Sequence, residues 1–238
     1  MRSVTRAVAI ALAFVVSSAH SYQLKPRHRT AGGAALCDPL NNDFSGCDFH
    51  TDFEGTGAPS GWTAWFGTPD WDYTTSPLRG SQSMEASGLE GGEWEIETGT
   101  NRVRYFGATI QPVTSVSTSN DWGNGHVSGT DSVPNIKFTF CTGLTCRLNV
   151  SCVNTTETVA TYDWSVTGGR KFYIEHDAAT GTVEGFVEDG GAWVATLVQT
   201  AANAGCEVDI TGFTLREDDG TDTIRFDDAW WNDAPPEP

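Results

Sequence analysis

The chain has 238 residues, with 31 acidic against 14 basic side chains, a formal charge of −17, six cysteines and nine tryptophans. A field of that sign repels nucleic acid and anionic membrane surfaces, which excludes both as partners, and it suits divalent cations and neutral sugars. The length accommodates one β-rich domain undivided.

Residues 1–21, "MRSVTRAVAIALAFVVSSAHS", place Arg2 and Arg6 ahead of an apolar run from Ala7 to Val16 and then small residues. This is the layout of a secretory signal peptide, cleaved after Ala19 or Ser21. The run is shorter than the ~20 residues a bilayer-spanning helix needs, and no later stretch is longer, so no membrane insertion is expected. The expectation is an exported protein, extracellular or periplasmic. Residues 22–36 are basic and Gly/Ala-rich and read as a flexible leader. A single folded domain is expected over 37–233, followed by the Pro-rich tail 234–238.

Cys37, Cys47, Cys141, Cys146, Cys152 and Cys206 all follow the leader. An even count in an exported chain reads as three disulfides. Cys37 with Cys47 is the most local pairing, and the other four can pair in three ways. The absence of paired C-x-x-C spacings argues against a structural zinc site.

From Cys37 onward the chain is short β-type segments separated by Gly, Asn, Asp and Pro, with no sustained helical period. In "KFYIEHD" Phe172 and Ile174 oppose Tyr173 and Glu175, and in "DTIRFDDAW" Ile224, Phe226 and Asp228 oppose Thr223, Arg225 and Asp227. Such alternation means one packed and one wet face, as in an antiparallel two-layer sandwich. The clearest element is a hairpin around "DAATG", where Gly181 can take the positive φ the turn requires.

The stretches "DFEGTGAPSGW", "GSQSMEAS", "FYIEHDAATGTVEGFVEDGGAW" and "IRFDDAWW" resemble the concanavalin A-like lectin/glucanase superfamily, in particular its LamG-like jelly-roll members, over about residues 48–232. The resemblance implies an all-β, two-sheet antiparallel jelly roll whose first and last strands lie side by side. It also implies glycan binding on a concave sheet or its rim, and in many members a structural calcium ion. Because that superfamily holds both binders and hydrolases, fold alone does not select an activity.

Three site hypotheses follow. Retaining laminarinase-type hydrolases of the superfamily carry Glu-x-Asp-x-Glu on one strand, and Glu93 and Glu97 of "GGEWEIETG" match its outer positions. Two glutamates four strand residues apart can lean to the ~5 Å a retaining pair requires. Glu95 stands where the family has aspartate, one methylene longer, and intrudes on the sugar; the alternative is a solvated strand face with Trp94 and Ile96 packed beneath. For calcium, Glu54 and Asp228 match a first-strand glutamate and last-strand aspartate that share an ion in similar modules, and Ca2+ favours oxygen ligands. For glycan contact, aromatic rings beside carboxylates and amides suit sugar faces and hydroxyls. The candidates are Trp62, Trp65, Trp71 and Tyr73 in one stretch, and Asp121, Trp122, Asn124 and His126 in "SNDWGNGHVSG", which lacks alternation and reads as a loop. Trp94, Trp164, Trp193 and Trp230 sit in alternating runs and read as core. Sequons at Asn149 and Asn154 mark glycosylation sites in a eukaryotic source.

The sequence therefore reads as a secreted, carbohydrate-binding, lectin-like sandwich without catalysis, whose partner is a polysaccharide or glycan. The alternatives are a glycoside hydrolase using Glu93 and Glu97 and a structural or adhesive surface protein.

Overall fold

The computed structural model describes residues 36–88, 90–95, 104–113, 121–126, 135–142, 145–152, 155–163, 168–199, 210–217 and 221–237. Of these, 66, 95, 121–126, 135–142, 145–152, 155–163 and 195–199 are described by backbone only. The expected signal segment, nearly all of the expected leader, Ile96, Glu97, Trp164 and Cys206 lie outside the described residues. Among the described residues no helix is long and apolar enough to cross a membrane.

The described chain forms strands β1 Phe49–Thr51, β2 Trp62–Phe66, β3 Asp70–Tyr73, β4 Ser83–Ser87, β5 Glu90–Glu95, β6 Tyr105–Pro112, β7 Asp121–His126, β8 Asn135–Thr142, β9 Thr145–Cys152, β10 Thr155–Asp163, β11 Arg170–Asp177, β12 Thr182–Asp189, β13 Ala192–Gln199, β14 Gly212–Glu217 and β15 Thr223–Asn232. They build two antiparallel sheets. One runs β13-β12-β11-β6-β15-β4-β3 with β1 also on β15, and the other runs β10-β9-β8-β7-β14-β5-β2. The molecule is an all-β, two-sheet antiparallel jelly-roll sandwich. Its first and last strands are paired, Phe49 opposite Trp231, and the β11–β12 hairpin closes through Gly181 at φ 65.

The alternation in the sequence becomes the inner faces. Phe106, Ile110, Phe172, Ile174, Ile224 and Phe226 of the eight-stranded sheet meet Trp62, Trp94, Phe213 and Leu215 of the other in one core. Burial of apolar area is the principal drive for such a two-layer arrangement. "GG" in the carboxylate stretch is explained by packing. A Cβ on Gly92 would lie 2.6 Å from the Trp71 ring and 2.9 Å from the Trp62 ring. Both indoles fill the space that a side chain would occupy, which is why Trp62 and Trp71 are core residues, 4% and 9% exposed, and not glycan contacts. Tyr73 is held by Arg225, whose guanidinium donates to its hydroxyl at 2.7 Å and lies over its ring.

A smaller cluster lies on the outer face of the eight-stranded sheet, where Tyr173, Phe186 and Trp230 are capped by Phe44 and the Cys37–Cys47 loop. Lys171 ties this loop down, donating to Pro39 O and Leu40 O at 2.6 Å each. Of the expected disulfides this is the one formed among residues with described side chains. Replacing Cys37 and Cys47 together by serine is expected to lower unfolding free energy by about 3 kcal/mol from lost loop closure. Denaturant midpoints of the two proteins check this, and the same variant should show red-shifted tryptophan emission as the cap over Trp230 loosens.

One local reading is corrected. Strict alternation would put Asp228 on the face of Phe226, but the register shifts between Asp227 and Trp230 where β15 exchanges β4 for β1 as its neighbour. Asp228 takes φ 47 in this bulge, which resets the phase so that Ala229 and Trp231 join the inner core while Trp230 faces outward.

Candidate functional site

Because Trp94, Phe213 and Leu215 point into the core, Glu93, Thr214 and Arg216 belong to the outer face of the seven-stranded sheet. Register lines up a polar row across that face: Thr63 opposite Glu93, Glu93 opposite Thr214, and Thr214 opposite Asn124. Thr63 donates its hydroxyl to Glu93 Oε1 at 3.3 Å. The reading of Trp94 as the packed residue between outward carboxylates holds for Glu93. The Glu95 side chain and Glu97 lie outside what is described, so the spacing of a Glu93–Glu97 pair is not part of this site.

One step along the strands, Trp65 is the extra residue of a bulge between Ala64 and Phe66. Bulges re-aim a side chain out of the regular pleat. The Arg216 guanidinium lies 4.2 Å from the Trp65 ring centroid, within the range of a cation–π contact. Gly91 makes this possible: a Cβ there would stand 2.5 Å from Arg216 Cβ. The two adjacent glycines thus serve opposite faces, Gly92 the core and Gly91 the site. Trp65 stays half-buried and Arg216 is 8% exposed, so the indole is a fixed platform beside Glu93 and Thr63.

Asp121, Trp122, Asn124 and His126 lie in a strand and not a loop, another correction. β7 is held between β14 and β8, with Asn124 opposite Thr214 and His126 opposite Gly212. Glu95 is opposite the same Gly212 from the other side. "DWGNG" carries no strand pattern of its own; the neighbours on both sides impose the conformation. Register thus brings the two separate sequence candidates, the carboxylate strand and the Trp122 stretch, onto the two strands that flank β14 in one sheet.

The proposed calcium pair is elsewhere and is engaged by protein. Glu54 Oε1 accepts from Ser81 N at 2.6 Å and Gln82 N at 3.2 Å, and Oε2 accepts from Ser81 Oγ. The Ser81 hydroxyl chiefly holds this carboxyl below its usual range. Asp228 Oδ2 faces Arg79 Nη1 at 2.7 Å, and its Oδ1 lies 3.3 Å from His50 Nε2. Beside it Asp227, 1% exposed, is pushed up to about 7 by burial and by Asp228, against hydrogen bonds from Asp228 N, Ser83 Oγ and Arg79 N. Both carboxylates therefore clamp the 79–82 loop to β15 and to the segment after β1, and Arg79 supplies the positive charge that an ion at Asp228 would supply. The residues as arranged do not fit a shared calcium. Among the described residues no group of three or more His, Cys, Asp or Glu is arranged to hold a metal.

No family model matches the sequence, and no curated protein is significantly similar to it. Solved structures do share the architecture. A single-substitution mutant of the GH43 protein BlXynB from Bacillus licheniformis superposes with a TM-score of 0.52 at 9% identity, over 77% of this chain and 39% of that one. Trypanosoma rangeli sialidase, solved with the inhibitor DANA, superposes with a TM-score of 0.52 at 11% identity, over 86% of this chain and 34% of that one. A lectin from Bauhinia forficata solved with GalNAc has a TM-score of 0.45 at 9% identity, over 77% and 96%. The chain spans little more than a third of the first two proteins, and identities this low establish similarity of fold alone.

Proposed function

We propose that this protein is an exported carbohydrate-binding β-sandwich, with its saccharide site on the outer face of the seven-stranded sheet. The observation that carries the reading is the Trp65 platform fixed by Arg216 beside the Glu93–Thr63 pair. A sugar ring presents C–H groups to an indole and hydroxyls to carboxylates and hydroxyls, and Trp65, Glu93 and Thr63 offer those groups side by side. The similarity of fold to a GH43 protein and to a sialidase supports the reading. A charge of −17 favours a neutral saccharide over an anionic one, and the Cys37–Cys47 bond suits export.

Trp65→Ala removes the platform without touching the core. Retention on immobilised polysaccharide is expected to fall by about tenfold or more, the effect of losing one stacked aromatic anchor worth roughly 2 kcal/mol. Thermal stability should change little. Affinity electrophoresis of both proteins reads the result, and unchanged mobility of Trp65→Ala in a gel that retards the parent would place the site elsewhere.

A further inference from the structure

The four cysteines left after Cys37–Cys47 can pair in three ways, and the backbone of the seven-stranded sheet discriminates among them. Cys141 lies on β8, and Cys146 and Cys152 lie on β9. The register of β8 on β9 sets Thr139 opposite Arg147 and Thr142 opposite Thr145, with a shift between the two pairs. Two residues of β8, Phe140 and Cys141, therefore stand against the single Cys146 of β9, which is the count of a β-bulge. Cys141, next to Thr142, is thus across from Cys146, next to Thr145. Opposed residues of antiparallel strands have Cα atoms about 4.5 to 5.5 Å apart, inside the range of about 4.4 to 6.8 Å that a disulfide spans.

The same register excludes the other two pairings. Cys146 and Cys152 are six residues apart on one continuous strand, about 20 Å at the rise of an extended chain. Cys141, across from Cys146, is about as far from Cys152. A disulfide requires Cα atoms closer than about 7 Å. One alternative contains Cys146–Cys152 and the other Cys141–Cys152, so neither forms without dismantling β9. What remains is Cys141 with Cys146, and Cys152 with Cys206. The first bond sits beside the turn of the β8–β9 hairpin, where a slip by one residue would turn the rest of β8 to the other face of the sheet. β8 is in turn one of the two strands that hold β7, with Asp121 opposite Lys137 and Asn124 opposite Asn135.

We propose that Cys141 and Cys146 form a cross-strand disulfide that locks the register of β8 on β9, and through β8 the placement of β7, and that Cys152 is joined to Cys206. Each bond forms by thiol–disulfide exchange with an oxidised dithiol protein or glutathione disulfide. The two cysteine thiols give up two protons and two electrons, one S–S bond forms, the S–S bond of the oxidant breaks, and the oxidant departs as two thiols. The pairing follows from backbone register and holds whether or not the protein binds saccharide.

Tryptic mapping of the unreduced full protein, with any free thiols first blocked by alkylation, tests the pairing. Lys137 and Arg147 bracket Cys141 and Cys146, so both fall in the peptide 138–147, while Cys152 falls in 148–170 and Cys206 in 172–216. The expected result is peptide 138–147 unlinked, unalkylated and lighter by two hydrogen atoms than after reduction, beside a species that joins 148–170 to 172–216. Either other pairing joins all three peptides in one species, and that result would overturn the proposal, as would two alkylated thiols on 138–147. The register lock is read separately by amide hydrogen exchange in the protein with Cys141→Ser and Cys146→Ser combined. Exchange in β7, β8 and β9 is expected to accelerate by about tenfold or more, while β11 and β12 of the other sheet keep the parent's rates. Unchanged exchange in β7 to β9, or acceleration that extends equally to β11 and β12, would overturn the lock.

Discussion

Phe213→Ala is expected to lower the free energy of unfolding by about 5 kcal/mol, at the upper end for a buried aromatic truncation. Phe213 is fully buried on β14, the strand between β5 and β7. Its ring meets Trp62 at 5.5 Å, Trp94 at 5.9 Å and, across the sandwich, Phe106 at 5.5 Å. Truncation removes the transfer term and three ring contacts and leaves a cavity walled by indoles whose positions are fixed by Gly61 and Gly92. Those rings cannot collapse inward without leaving other partners, so relaxation recovers little. Phe213→Leu fills most of the volume and should cost about 1.5 kcal/mol. Thermal unfolding of the three proteins checks the order, and a drop in Tm of roughly 15 °C for the alanine variant corresponds to this loss in a domain of this size.

The second large effect is at Gly107, in the middle of the eight-stranded sheet between Tyr173 and Trp230. A Cβ there would run into the carbonyl oxygen of Phe172 and stand 2.8 Å from Tyr173 Cβ. The obstacle is the backbone of a central strand, which cannot rotate away as a side chain can. Gly107→Ala is therefore expected to cost about 3 kcal/mol or more through forced separation of β6 and β11. The rings of Tyr173 and Trp230, now 5.9 Å apart between centroids over this glycine, would part as well. Gly55→Ala is the control, because nothing lies within 4 Å of its Cβ position, and its effect should stay within about 0.5 kcal/mol. Chemical denaturation of the pair measures the difference directly.

The fold was legible where each segment carried its own period. "KFYIEHD" and "TVEGFVED" alternate, flank the turn glycine Gly181, and form the β11–β12 hairpin as read. The pairing of first and last strands came with the superfamily resemblance and is present. Where tertiary contacts overrode local pattern, the reading failed. "DWGNG" has no strand signal, yet β14 and β8 hold it as β7. Asp228 reads as a regular strand residue because nothing in "RFDDAW" announces a bulge; the bulge arises where β15 changes neighbours. Trp62 and Trp71 looked like Trp65 in the sequence, and what separates them is Gly92, whose missing side chain admits two indoles into the core.

The candidate site was half legible. Trp65 was identified as a candidate sugar contact and Glu93 only as a candidate hydrolase carboxylate or a solvated strand residue, while Arg216, which fixes the platform, lies in "GFTLRE" with no mark of function. A pairing of β14 with β5 would have revealed it, and that register depends on contacts distant in sequence.

Retention of the mature protein on soluble and insoluble polysaccharides, with released reducing ends read in the same samples and with and without chelator, tests the central claim most directly. The account predicts retention on at least one polysaccharide, no product, and no effect of chelator, because Arg79 already neutralises Asp228. New reducing ends that disappear in Glu93→Gln would contradict it and make the carboxylate strand an active site.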